Sequence, residues 1–245
     1  MNIPRSAKER LARRIAGEIA LSSKPYKTIR KWRELFHIPQ ITLADFFGVS
    51  PSVISDYESG RRKSPGTQTI KRIVNALLAI DEKGGGQITL AFSRLMDVEI
   101  PTDMILDALE LKSPMKTKEF CKMIGANIVV REKTRGNRRI HGYIVIDNIA
   151  ALRELSSTAF QRLFDTTIDY ALIFTNVSTG RSPMITINIG GTKPKLVILH
   201  GMSEIDHLAI ELAKKEKILL ATLEEIPINV LFQRLGIVEE EPSEK

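Results

Sequence analysis

A small all-helical domain followed by an α/β domain is the fold class this sequence predicts. Three observations carry it. Up to Ile80, apolar residues recur at three- and four-residue spacing with Lys and Arg between them. The run Asp81 to Gln87, DEKGGGQ, holds three adjacent glycines, which cost too much backbone entropy for a helix interior. Beyond it, short β-branched apolar runs alternate with amphipathic segments, the order of a mixed, largely parallel sheet covered by helices. The expected boundaries are a helical domain at 1–81, a linker with connecting helices at 82–125, an α/β domain at 126–238 and a disordered acidic tail at 239–245.

The first element is PRSAKERLARRIAGEIALS, a helix with Leu11, Ile15 and Ile19 on one stripe and Arg10, Arg13 and Arg14 on other faces. Pro25 ends it. YKTIRKWRELF restarts with Ile29, Trp32, Leu35 and Phe36 on one side. Short helices follow at about Ile41–Phe47 and Pro51–Glu58, and a longer one from about Thr67 to Ile80, giving a five-helix bundle with short connections. After the glycines, LAFSRLM, PTDMILDALEL and TKEFCKMIG all carry helical spacing. NIVVRE and HGYIVID are expected as two strands of a hairpin around the polar KTRGNRRI. NIAALRELSSTAFQRLF is helical, broken at Ser156 or Ser157. DYALIFTNV, MITINIG and KLVILHG are β-branched and bounded by Gly or Pro, so they are expected as strands. SEIDHLAIELAKKE is an amphipathic helix, ILLAT a strand, and LEEIPINVLFQRL a last helix interrupted at Pro227.

Composition narrows the function. No run of about 18 uninterrupted apolar residues is present, so no membrane span and no membrane partner are expected. The charged N-terminus does not form a secretory signal. A single cysteine, Cys121, excludes an internal disulfide and a cysteine-rich zinc site, and fits a reducing cytoplasm. Charge is unevenly placed. Residues 1–80 hold 15 Lys and Arg against 6 Asp and Glu, a formal +9, while residues 81–245 hold 21 against 23, a formal −2. A polyanion partner is therefore expected for the first domain only.

Within that domain, Gln40 to Lys63 has a specific grammar. Gln40 opens a helix containing Leu43, Ala44 and Phe47, and Gly48 ends it where a left-handed residue is needed. Val49 points back to the core. Ser50 is positioned to cap the next helix and Pro51 suits its first turn. Ile54 and Tyr57 then face inward, while Ser52, Ser55, Asp56 and Ser59 fall on the other side, short and polar enough for that surface to enter a major groove. Gly60 ends the helix and Arg61, Arg62 and Lys63 follow directly.

Residues Gln40, Leu43, Ala44, Gly48, Val49, Ser50, Ile54, Tyr57, Glu58 and Gly60 resemble the helix-turn-helix of the phage lambda repressor/Cro-like family, the XRE type, over about Lys27 to Ile80. The resemblance implies a sequence-specific double-stranded DNA-binding transcription regulator; the alternatives are a ligand-regulated enzyme fused to a DNA-binding module and a protein-interaction module using the helix-turn-helix fold. In the regulator Gln40 contacts a phosphate, Pro51, Ser52, Ser55 and Asp56 face the groove, and Arg61, Arg62 and Lys63 grip the backbone. The family often has a long amide or Arg where this chain has Pro51, which cannot hydrogen-bond a base edge. Readout then falls to Ser52 and Ser55, to water, or to Asp56 accepting from a cytosine amino group, unless Asp56 pairs with Arg61 or Arg62. The family also implies a homodimer on two half-sites. Either the N-terminal helix or the C-terminal domain can hold the copies together, and packing of Leu11, Ile15 and Ile19 on their own domain is the simpler role for the first.

From Met184 to Leu235 the chain is weakly similar to the DRTGG-type α/β domain, with the glycine-rich sequence reduced to His200-Gly201. That likeness implies dimerisation or small-molecule sensing, and the whole layout resembles archaeal two-domain regulators. The candidate effector residues are Gly190, Gly191 and Lys193 in NIGGTKPK, with His200, Gly201 and Ser203 in HGMSEIDH. Neither a full phosphate loop nor a dinucleotide fingerprint is present, so no cofactor and no enzyme activity are expected. His200 and His207 lack a third ligand for a metal. Ser203 and Asp147 are expected as helix caps and Cys121 as a core residue. The basic stretch REKTRGNRRIH, with Arg131, Lys133, Arg135, Arg138 and Arg139, is either a solvated hairpin tip or a second contact to DNA or a phosphorylated ligand.

Overall fold

The computed structural model describes residues 4–62, 64–96, 100–131, 138–202 and 204–236. The chain divides into two compact units, Met1–Met96 and Asp97–Lys245. The predicted mixed α plus α/β architecture is the one observed. No described helix is long and apolar enough to cross a membrane.

In the first unit the described residues form six helices: α1 (Arg5–Leu21), α2 (Pro25–Leu35), α3 (Gln40–Phe47), α4 (Pro51–Glu58), α5 (Thr67–Gly84) and α6 (Gln87–Leu95). The stripe Leu11, Ile15 and Ile19 of α1 is wholly buried, as is Trp32 of α2. Trp32 stacks at a tilt on Phe92 of α6, with ring centroids 5.4 Å apart. Its indole nitrogen donates to Glu18 on α1 (3.0 Å), a carboxylate that also takes Lys31 (3.0 Å) and Arg14 (3.1 Å). The glycine run is not a linker between domains. Helix α5 continues to Gly84, and Gly85 (φ 111°) and Gly86 (φ 72°) make a left-handed turn into α6. The Asp81 carboxylate accepts from the amides of Ile88 and Thr89 and from the Thr89 hydroxyl, which fastens α6 onto the end of α5. The first unit therefore runs past the boundary expected at 81.

The second unit holds a six-stranded sheet in the order β1-β3-β4-β5-β6-β2: β1 (Ile105–Lys116), β2 (Asn127–Val130), β3 (Arg139–Asp147), β4 (Tyr170–Thr175), β5 (Leu196–His200) and β6 (Leu219–Leu223). Strands β3 to β6 are parallel, and β1 and β2 are the antiparallel edges. The parallel strands are joined by α8 (Asn148–Glu154) with α9 (Ser157–Thr166), by α10 (Arg181–Ile189) and by α11 (His207–Lys215). Because the strands succeed one another in a single direction, right-handed crossovers place these helices on one face. The other face is covered by α7 (Thr117–Ile124) and α12 (Ile228–Arg234): Phe120, Cys121, Ile124 and Leu231 close over Tyr143, Val145, Ala171, Ile173, Ile198 and Ala221. Asp147 and Ser156 cap α8 and α9, accepting from Ile149 and Ala150 and from Ala159. Cys121 is a core residue whose thiol burial pushes up to about 11.

Three local expectations are overturned. PTDMILDALEL is not helical: after a 3₁₀ turn (Thr102–Met104) it is the edge strand β1, paired along β3. Its apolar residues fit both periods, and the unfilled edge of β3 decides between them. MITINIG is helix α10, with Pro183, Met184 and Ile187 buried at helical spacing. Strands β4 and β5 are parallel neighbours, so the chain between them must run back along the sheet, which overrides its β-branched residues. NIVVRE and HGYIVID are both strands but not a hairpin. β2 pairs with β6, and β3 lies between β1 and β4. Lys133, Arg135 and the 239–245 tail lie outside the described residues.

One glycine is fixed by packing alone. Glu110, Gly142 and Tyr170 are partners in successive strands, and the Tyr170 hydroxyl donates to the buried Glu110 carboxylate across the bare glycine between them. A Cβ on Gly142 would lie 2.3 Å from the Tyr170 ring and 2.4 Å from the Leu109 carbonyl. Gly142→Ala is expected to cost about 3 kcal/mol of unfolding free energy, as overpacking against immovable backbone does. Urea denaturation followed by circular dichroism measures it, and a loss under about 1 kcal/mol would mean that the ring moves aside freely.

Candidate nucleic-acid interface

Helices α3 and α4 are set by their turn. Gly48 is left-handed (φ 67°), and the amides of Gly48 and Val49 return to the carbonyls of Asp45 and Ala44. Ser50 occupies the cap position in extended conformation, but its side chain makes no cap bond and its hydroxyl meets the Ser52 hydroxyl instead (2.8 Å). Pro51 starts α4.

The inward stripe of α4 is Ile54 and Glu58, not Ile54 and Tyr57. The Glu58 side chain is 3% exposed and Arg33 of α2 11%. The guanidinium forks onto the carboxylate, Nε to Oε1 at 2.6 Å and Nη2 to Oε2 at 2.9 Å. Gln40 of α3 donates its amide to Oε2 (2.8 Å), and Arg33 Nη1 reaches the Ile38 carbonyl (2.9 Å). One buried carboxylate thus ties α2, α3 and α4 together. Sequence reasoning assigns Glu58 no task, although its place one turn after Ile54 is a readable signal. The Gln40 side chain is turned to this carboxylate, with one hydrogen of its amide nitrogen committed there.

Outward, Ser50, Pro51, Ser52 and Ser59 are exposed, and Ser55 and Asp56 half-buried. Arg61 pairs with Asp56 (3.0 Å), the second of the two roles open to that acid. Arg62 lies over the Tyr57 ring, 5.0 Å from its centroid, and donates to its hydroxyl (3.3 Å). A hydrogen bond with Thr69, aided by Arg62, holds the Tyr57 phenol below its ordinary range. Gly60 is left-handed (φ 79°), and a Cβ there would meet the Tyr26 ring at 3.2 Å. Arg72 of α5, not singled out from sequence, donates to the Phe47 carbonyl at the end of α3 (2.9 Å) and stacks on the Phe47 ring. Lys63 lies outside the described residues. The arrangement is a narrow hydroxyl-bearing helix face with arginines fixed beside its C-terminal end.

The five described effector candidates, Gly190, Gly191, Lys193, His200 and Gly201, do not form one site. Gly190 caps the end of α10, and Gly191 and Lys193 lead into the start of β5, whereas His200 and Gly201 stand at its far end. A five-residue strand separates them, about 16 Å at 3.3 Å per residue. Lys193 donates to the carbonyls of Ile187, Asn188 and Gly190, closing the end of α10. His200 is buried, its Nε2 2.9 Å from the Ile226 carbonyl, and burial lowers its basicity. Ser203 is outside the described residues, and the cap of α11 is Asp206, which accepts from Leu208.

The profile of the helix-turn-helix family matches residues 29–78. A protein of Methanocaldococcus jannaschii described as an uncharacterized HTH-type transcriptional regulator is 43% identical over 216 residues, 87% of this chain and 89% of its own. One of Archaeoglobus fulgidus with the same description is 40% identical over 227 residues, 92% of this chain and 96% of its own. No solved structure matches. Nothing in these matches bears on the DRTGG likeness.

Glu58→Ala is expected to remove about 3 kcal/mol or more from the stability of the first unit, because it leaves the Arg33 charge buried without its partner. Arg33→Met with Glu58→Met should recover part of that loss. Thermal melts of the unaltered chain, Arg33→Met, Glu58→Met and the double variant measure the coupling, and additive single effects would show that the fork contributes nothing as a pair.

Proposed function

The chain belongs to the helix-turn-helix family of archaeal transcriptional regulators, and from that membership we propose that it binds double-stranded DNA sequence-specifically with α4 in the major groove. The observation that carries the reading is the outward face of α4, with Ser52 exposed and Ser55 accessible beside it. Its side chains are short, so the helix enters without steric cost, and Arg61 and Arg62 lie at its end, within reach of a phosphate strand. Of the sequence candidates, Ser50, Pro51, Ser52, Ser55, Asp56 and Ser59 are assigned to the groove side and Arg61, Arg62 and Lys63 to the backbone. Gln40 is assigned first to Glu58, and toward a phosphate it offers the second hydrogen of its amide nitrogen and its backbone N–H at the start of α3.

One such helix covers a single half-site, so the reading includes a homodimer on two half-sites about 34 Å apart. The apolar stripe of α1 is spent inside its own unit, with Leu11, Ile15 and Ile19 fully buried. Dimerisation is therefore assigned to the second unit. Sensing of a small-molecule effector is assigned to the same unit, but the residues first singled out for it stand at both ends of β5 and are not offered as its site.

Genomic fragments selected by the purified protein define cognate and random duplexes. Arg61→Ala with Arg62→Ala is expected to weaken binding to both by roughly tenfold and to flatten the dependence of log K on log salt by about 2. Ser52→Ala is expected to change the ranking among duplexes by about 1 kcal/mol with the salt slope unchanged. Equal losses on cognate and random DNA from both variants would overturn the division of labour, and salt-insensitive or absent duplex binding by the unaltered chain would overturn the reading itself.

A further inference from the structure

Charge in the second unit is sorted by the two ends of its sheet. Residues 131, 138–139, 165–169, 189–195 and 214–217 surround the starts of β3 to β6 and hold eight Lys and Arg against three Asp and Glu. Residues 147–148, 175–182, 200–202, 204–207 and 223–228, around the strand ends, hold one Arg against five Asp and Glu. The unit is close to neutral as a whole, so this separation is invisible in its net charge.

Helix dipoles explain part of it. The helices joining the parallel strands end at the basic edge, where cations are favoured, and Lys193 takes three carbonyls of α10 there. They do not explain Arg131, Arg138 and Arg139, which flank strand ends rather than helix ends. Two of these are tied to the same edge by hydrogen bonds: Arg138 donates to the Lys217 carbonyl (3.4 Å), Arg139 to the Pro114 carbonyl (3.0 Å), and Lys195 to the Arg139 carbonyl (3.4 Å). For Arg139 a carbonyl acceptor fixes the guanidinium without cancelling its charge. Of the three acids, Asp169 is taken up by Lys195, and Glu216 by Lys193 (3.5 Å) and Lys215 (3.8 Å). Arg131, Lys214 and Lys217 are exposed and carry no ion pair among the described residues.

We propose that this basic edge is a second, sequence-independent contact for the phosphate backbone of double-stranded DNA, flanking the site held by α4. The proposal rests on the DNA-binding reading above. Duplex DNA is favoured over other polyanions because the same chain delivers it: once the first unit is bound, the tethered edge meets flanking duplex at high effective concentration, and a few cations suffice.

The test uses the full chain with Arg131→Gln, Lys214→Gln and Lys217→Gln combined, its fold checked by thermal melting. Binding is titrated against salt on a selected site embedded in a duplex of about 20 base pairs and of about 60 base pairs, and the slope should change by about 0.9 for each phosphate no longer neutralised. The variant should match the unaltered chain on the short duplex. On the long one it should bind roughly tenfold more weakly with a slope flatter by about 2 to 3. An unaltered chain that binds while the variant is indistinguishable from it on the long duplex overturns this proposal alone. An unaltered chain that binds neither duplex overturns the regulator reading and this proposal with it. Loss confined to single-stranded RNA, or loss of self-association by sedimentation with DNA binding intact, would assign the edge to another partner and overturn the proposal.

Discussion

The fork between Arg33 and Glu58 is the constraint on which the presentation of α4 depends. A helix of eight residues has little stability of its own, so its orientation must come from its neighbours. Apolar contact through Ile54 holds it down but does not fix its rotation. A carboxylate buried to 3% exposure does, because it is costly unless its partners meet it at hydrogen-bond distance. Arg33 meets it from α2 and Gln40 from α3, so the three helices share one geometric solution. The pair need not add net stability to have this effect: its value is that wrong rotations of α4 leave a charge unpaired in the interior.

The turn chemistry surrounding that fork is legible in the sequence because each residue has a local job. Gly48 and Gly60 supply left-handed positions, Pro51 a fixed first turn, and the stripe of α1 a 3.6-residue period. What stays hidden depends on partners distant in sequence or on competition between neighbours. Residue type alone makes Ser50 a cap, but Ser52 captures its hydroxyl. The hairpin fails at larger scale: β2 and β3 are adjacent in sequence, while the edge that β2 fills belongs to β6. In α10 and β1 the apolar pattern allows two periods, and the sheet chooses between them. The glycine run misleads because Gly85 and Gly86 in a left-handed turn look, in sequence, like a flexible joint, and only the Asp81 carboxylate across it reveals a rigid one. The effector candidates fail because two glycine-bearing stretches close in sequence flank opposite ends of one strand.

The second unit follows from a different constraint, the direction in which its parallel strands succeed one another. Successive placement from β3 to β6 aligns the crossover helices, so their N-termini gather at one end of the sheet and their C-termini at the other. Acidic caps at the first end, Asp147 before α8 and Asp206 before α11, and lysines at the second satisfy those termini. Polarity of charge is thus a consequence of topology before it is a feature of function. The arginines beside β2 and β3 add to a field that the winding already set up.

This ordering bears on how the chain divides affinity from specificity. The outward side chains of α4 are hydroxyls, one carboxylate already paired to Arg61, and a proline. None makes the bidentate contact by which a long amide or a guanidinium reads a base. On the reading proposed above, direct readout from such a surface is weak, and discrimination falls to water-bridged contacts and to the fit of a slim helix in the groove. Weak readout needs to be held in register by strong positioning, and positioning by phosphates needs only charge, reach and rigidity. Arg62 stacked on Tyr57 and Arg61 clamped by Asp56 have their rotamers already restricted, so less side-chain freedom remains to be lost on contact. On that reading, the poorer the base-reading helix, the more the molecule depends on cations fixed in advance, and the formal +9 of residues 1–80 is the sequence-level expression of that dependence.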